Sequence, residues 1–138
     1  MINQQHKQML KKIETFYDDM FQYHYEKLRS KDSDPEVVPI AIISLCQITN
    51  ILFLVILIYN LTEIKNMIDF KTLLYSFGFF YFIILGFNFY KIVLNNRRDF
   101  ILKRNVNVDK KSKLIFRVYF IISFWLPFLL IYYFNEIY

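Results

Sequence analysis

A chain of 138 residues has the length of one ordinary domain, yet 56% of it is hydrophobic and 20% aromatic. A soluble domain of this size has too little polar surface to cover so much apolar side chain, which excludes an ordinary water-soluble fold. The net charge of +5 would suit an acidic partner, but basic residues beside apolar runs are also what membrane topology requires.

Between Met1 and Arg29, the residues Met9, Ile13, Phe16, Met20 and Tyr23 advance by fours and threes, and Leu10, Tyr17, Phe21, His24 and Leu28 widen the same side. That is the period of an amphipathic helix. Lys11, Glu14, Asp18, Asp19 and Glu26 fall opposite, and six basic against seven acidic residues through Glu36 argue against a simple polybasic lipid-binding helix. The apolar face marked by Met9, Ile13, Phe16 and Met20 is a candidate docking surface for the span ends, for a second copy or for another protein. His6 and His24 have no Cys or carboxylate at ligand spacing, so no metal is expected.

Ser30 to Asp34 should end this first segment, 1–34, and Asp34-Pro35-Glu36 reads as N-cap, first-turn proline and first-turn acid of a new helix. The uncharged run Val37 to Thr62 has 26 residues. As helix it measures ~39 Å, more than the ~30 Å hydrocarbon core, which leaves room for tilt. Ser44, Gln47 and Asn50 recur every third residue after Ala41, drifting only about 60° per step, and so form one small-and-polar face. Unpartnered amides in lipid are costly, so this face should meet another helix or line a wet path. Cys46, the single cysteine, lies in the same run, which rules out an intramolecular disulfide and suggests a buried, inert thiol.

The short connection Glu63 to Lys71 balances Lys65 and Lys71 with Glu63 and Asp69. A second span, 72–94, begins with 19 uncharged residues from Thr72 to Tyr90. Leu74, Phe77, Tyr81, Ile84 and Asn88 form its expected packing seam, with Asn88 as a polar contact. Gly78 and Gly86 are eight apart, so no GxxxG motif is present. Lys91 can snorkel to the interface, and Leu94, Ile101 and Leu102 suggest that the helix continues into the cytoplasm until Asn105-Val106-Asn107 breaks it.

The loop 95–113 carries seven Lys or Arg against two acids, whereas the Glu63–Lys71 connection has two basic residues. This asymmetry places the N-terminus inside and the C-terminus outside. Arg97, Arg98, Lys103 and Arg104 are expected at anionic lipid headgroups, each worth about 1 kcal/mol near the surface. Asp109 should cap a third helix with a span at 114–135, of which Val118 to Asn135 is uncharged over 18 residues. Pro127 within it cannot bond the Ser123 carbonyl, which predicts a kink. Tyr132, Tyr133 and Tyr138 would anchor the outer end.

The uncharged spans hold no His, Asp, Glu, Lys or Arg, so proton relays, charge-moving pumps and intramembrane proteases lack their groups. Ser44, Ser76 and Ser123 have no base beside them, and no phosphate-binding, dinucleotide or zinc motif occurs. No catalytic residue and no cofactor is expected. The basic loop includes Phe100 but no nucleic-acid-binding fold, so nucleic acid is not an expected partner. No cleavable signal precedes the first span, which should itself direct insertion.

The expected fold is an all-α integral membrane protein, three transmembrane helices (35–138) preceded by a cytoplasmic amphipathic helix. The expected function is that of a non-catalytic subunit working through helix association, as a homo-oligomer or as an accessory, regulatory or immunity partner of a larger protein. An oligomeric channel or membrane-disrupting effector, its pore lined by the first span, is the alternative. The richness in Ile, Phe, Tyr, Asn and Lys points to a bacterial inner membrane.

Overall fold

The computed structural model describes residues 2–62, 69–104 and 108–137, and among these there is no strand. Helix α1 spans Ile2–Leu28, α2 Val37–Leu61 and α3 Phe70–Phe89, which runs on into a π-helical turn, Tyr90–Leu94; α4 spans Arg97–Lys103 and α5 Lys110–Ile137. Three stretches, Val37–Leu61, Lys71–Leu94 and Lys110–Phe134, are long and apolar enough to cross a membrane.

Helix α2 is the axis of the fold, packed against α5, α3 and α1. Its most apolar window is 39% buried, against 11% for α3 and 17% for α5, so the other two spans give most of their surface to the surroundings. The half-buried Phe77, Tyr81 and Ile84 and the buried Asn88 line the inner side of α3, while Phe79, Phe82 and Phe87 point away. A Cβ added at Gly78 or Gly86 would meet nothing, so neither glycine serves a close approach. On α5, Phe116, Ser123 and Pro127 turn inward, and Trp125, Phe128 and Leu129 outward.

The core lies at one end of the bundle, where the second half of α1 closes over the spans. Met20 and Phe21 are fully buried there with Ile40, Ile43 and Cys46 of α2, Ile92, Ile101, Val108 and Phe116. Phe16 meets Phe116 and Tyr119 of α5 edge-on, at 5.4 and 5.0 Å between ring centres, the arrangement that aromatic quadrupoles favour. Met9, Leu10 and Ile13 remain exposed. The face expected to dock through Met9, Ile13, Phe16 and Met20 is thus divided: its latter two residues pack inside the chain.

Helix α2 starts two residues later than Asp34-Pro35-Glu36 suggests. Val37 N–H donates to the Asp34 carbonyl at 3.2 Å, so Pro35 and Glu36 form a turn. Pro39 falls in the first turn of α2, where a missing N–H costs no intrahelical bond. Asp69 and Asp109 act as N-caps, accepting from the backbone of Thr72 at 3.3 Å and Ser112 at 2.8 Å.

The expected continuous extension of the second span is corrected. Asn95 N–H bonds back five residues to the Tyr90 carbonyl at 3.0 Å, and Asn96 takes a left-handed φ of 53°, so the chain breaks before Arg97 rather than at Asn105 to Asn107, which lie outside the described residues. Asn tolerates this conformation better than most residues because its side chain is short and polar.

Phe21→Ala should lower stability by about 3 kcal/mol, since it opens a cavity at a fully buried position of the core. Phe82→Ala, on the exposed side of α3, should change it by less than ~0.5 kcal/mol. Unfolding in detergent, followed through the fluorescence of Trp125, separates the two outcomes.

Candidate functional site

Two polar layers cross the junction of α1 with the spans. The inner layer begins with Ser44, whose hydroxyl donates to the Ile40 carbonyl of its own helix at 2.8 Å and accepts from Asn88 Nδ2 at 2.9 Å. Asn88 Nδ2 also donates to Gln47 Oε1 at 2.8 Å, so both amide hydrogens of Asn88 are used on α2. Asn50 turns the other way and donates to the Tyr119 hydroxyl of α5 at 2.6 Å, which shares a 2.8 Å hydrogen bond with the Tyr17 hydroxyl of α1. The drift of about 60° per step explains the split: it carries the row from the α3 side of α2 to the α5 side within two steps. Burial, with the Tyr119 bond added, pushes the Tyr17 phenol above its ordinary value, so it keeps its proton and its place in the chain of bonds.

The outer layer is ionic. The π turn rotates the end of α3, and the left-handed Asn96 reverses the chain, which together bring Lys91 and α4 against α1. Arg97 grips Asp18 with two bonds, Nε to Oδ1 at 3.1 Å and a terminal nitrogen to Oδ2 at 2.9 Å, and the same nitrogen lies 2.9 Å from Glu14. Lys91 holds Glu14 at 2.8 Å, Arg104 bonds Asp19 and lies 3.6 Å from Asp18, and Arg98 reaches Glu36 at 3.3 Å. The hydrogen bond from Lys91, reinforced by the Arg97 charge, holds the Glu14 carboxyl below its ordinary value, whereas burial moves Asp19 upward despite Arg104. The Asp18 bond raises Arg97 further above its already high value.

Helical spacing accounts for this choice of partners. Arg97, Ile101 and Arg104 share the inner face of α4 and its end, while Asp99, Phe100 and Lys103 are exposed. Of the residues expected at headgroups, Arg97, Arg98 and Arg104 therefore hold carboxylates of the chain itself, and Lys103 faces outward. Tyr17, Glu14 and Asp18 belong to the site although sequence periodicity assigned them only to helix faces, and Tyr119 joins them without any sequence signal having marked it. The signal that would have found the acids is complementary charge: Glu14 and Asp18 at i and i+4 on one helix, Arg97 and Arg104 one seven-residue step apart on another. Gln22 is also buried and donates to Glu26 at 2.9 Å.

Among the described residues no group of three His, Cys, Asp or Glu gathers at metal-binding range. Ser123 is buried beside Pro127 on α5, and Ser76 bonds its own helix at the Thr72 carbonyl. Met9 and Ile13 lie on the uncovered face of α1, next to the site but outside both layers. Comparison with known family models, curated proteins and solved structures finds no match.

Asp18→Ala should cost about 3 kcal/mol, because it leaves Arg97 and Arg104 without their nearly buried partner. In a double-mutant cycle, Asp18→Ala with Arg97→Ala should cost less than the two single changes summed. A second test concerns His24, which burial lowers from its ordinary 6.5 to about 4, with Lys27 adding to the effect. The unfolded chain then binds the proton first, so stability is complete above pH 6.5 and falls as pH drops towards 4. Across that window the melting temperature of the wild type should fall more than that of His24→Gln.

Proposed function

We propose that this chain is a non-catalytic integral membrane protein that acts by association, with α1 held at the cytoplasmic face as a docking element. Its partner is a larger membrane protein that it accompanies, regulates or protects against, or a second copy of itself. The observation that carries this reading is the division of α1. Its second half is fixed by Phe21 and by the Asp18–Arg97 pair, while Met9, Leu10 and Ile13 stand uncovered on the first half. A rigidly held helix with an open apolar side is suited to capture a partner at small ordering cost.

The charge asymmetry between loop 95–113 and the Glu63–Lys71 connection supports a cytoplasmic N-terminus and an outside C-terminus. The composition supports a bacterial inner membrane. The geometry favours association over a pore, since Gln47 and Asn50, which a channel would turn to water, bond Asn88 and Tyr119 instead.

The gently solubilised native complex should have a mass above the 17.0 kDa of one chain, with mass spectrometry identifying the extra component. Met9→Asp should return it to the single-chain mass without changing helix content. A wild-type protein that remains a single chain at all native concentrations would sink the proposal.

A further inference from the structure

Two open cavities sit side by side where α1 meets α2 and α3. One, of about 640 Å³, has Lys7, Lys11, Lys91 and Arg97 on its walls with Glu14 and Asp18. The other, of about 570 Å³, is bounded by Ile51 of α2 and by Ile83, Ile84 and Phe87 of α3. Tyr17, Gln47, Asn88 and Lys91 line both, so the two form one continuous groove whose character changes along its length.

The cationic end carries surplus charge. Lys91 and Arg97 are already matched by Glu14 and Asp18, whereas Lys7 and Lys11 are exposed and, among the described residues, have no ion-pair partner. The middle offers hydrogen bonds: Gln47 gives its oxygen to Asn88, and its amide nitrogen has no acceptor among the described residues. The far end is mainly aliphatic and aromatic, its Asn50 amide being bonded to Tyr119, and Ile51, Ile83 and Phe87 are exposed along it. An anion, then a hydrogen-bonding linkage, then hydrocarbon is the order of groups in an anionic phospholipid. A soluble phosphate would leave the apolar half unused, and a neutral lipid would leave Lys7 and Lys11 unmatched.

We propose that this groove binds one anionic phospholipid of the cytoplasmic leaflet, its phosphate at Lys7 and Lys11, its ester region at Gln47 and one acyl chain against Ile51, Ile84 and Phe87. The phosphate position lies at Lys7 and Lys11 rather than at Arg97, which borders the groove but is occupied by acids of the chain. It rests on the membrane placement given above. Lipid seated there would add contacts between the first half of α1 and the bundle, beneath the surface that Met9 presents.

The test is native mass spectrometry of the full chain released from nanodiscs of equal phosphatidylglycerol and phosphatidylcholine. One retained phosphatidylglycerol, enriched about tenfold over phosphatidylcholine, is the expected result, an enrichment equal to about 1.4 kcal/mol. Lys7→Gln with Lys11→Gln should bring the ratio close to one, whereas Lys110→Gln with Lys111→Gln, an equal loss of charge outside the groove, should leave it high. Ile84→Trp, which fills the apolar end, should also reduce retention. Equal effects of the two lysine pairs would overturn the proposal in favour of diffuse surface charge, and displacement by inorganic phosphate alone would overturn it in favour of a free-anion site. Failure of the chain to enter nanodiscs would remove the membrane placement itself, and with it this groove; entry without lipid preference would remove the groove alone.

Discussion

Asp18 sits with its side chain only 9% exposed beneath Arg97 and Arg104, and the position of α1 depends on it. A nearly buried carboxylate is tolerable only when its charge is matched and its lone pairs are filled, and the two-pronged Arg97 contact does both. Because Arg97 follows the left-handed Asn96, the same contact fixes where the chain must turn after α3. One ion pair thereby links the direction of α1, the ending of the second span and the placement of α4. The apolar core of Met20, Phe21, Ile40, Ile92 and Ile101 fills the space so defined.

Hydrogen bonds do for the spans what this ion pair does for α1. An apolar helix has little reason to choose one rotation over another against an apolar neighbour, since lipid is as good a solvent for its side chains. Ser44, Gln47 and Asn88 give α3 a definite register on α2, and Asn50 with Tyr119 gives α5 another. Helix α2 bonds both neighbours, which is why it is the axis and why its window is the most buried of the three. Tyr17 then ties α1 to the α5 side of the same network.

Ser44, Asn88, Gln47 and Asn50 bond within the bundle, and the groups left open to the surroundings lie elsewhere. The first half of α1 is where they concentrate: Met9, Leu10 and Ile13 present apolar side chains, and Lys7 and Lys11 present cations without partners among the described residues. Acidic residues begin at Glu14, and from there onward the helix is neutralised by Lys91, Arg97 and Arg104. Charge summed over the whole segment conceals this division, because its basic and acidic ends face different neighbours.

The sequence by itself determined the helical character of the chain, the three apolar stretches, the inward side of α3 and the cap at Asp109. Each of these follows from local chemistry: a period of 3.6 residues, an uncharged run, or a side-chain oxygen next to free N–H groups. It also marked Ser44, Gln47, Asn50 and Asn88 as residues in need of partners, because an amide in an apolar run is costly wherever the helix goes. Only the tertiary structure decided which partners they took, that Tyr17 and Tyr119 complete the network, and that Arg97, Arg98 and Arg104 turn to acids of the chain. The physical reason is distance along the chain: Asp18 and Arg97 are 79 residues apart, and Asn50 and Tyr119 are 69 apart. Charge and hydrogen-bonding capacity are properties of single residues, but a partner is chosen by the packing that brings two of them together.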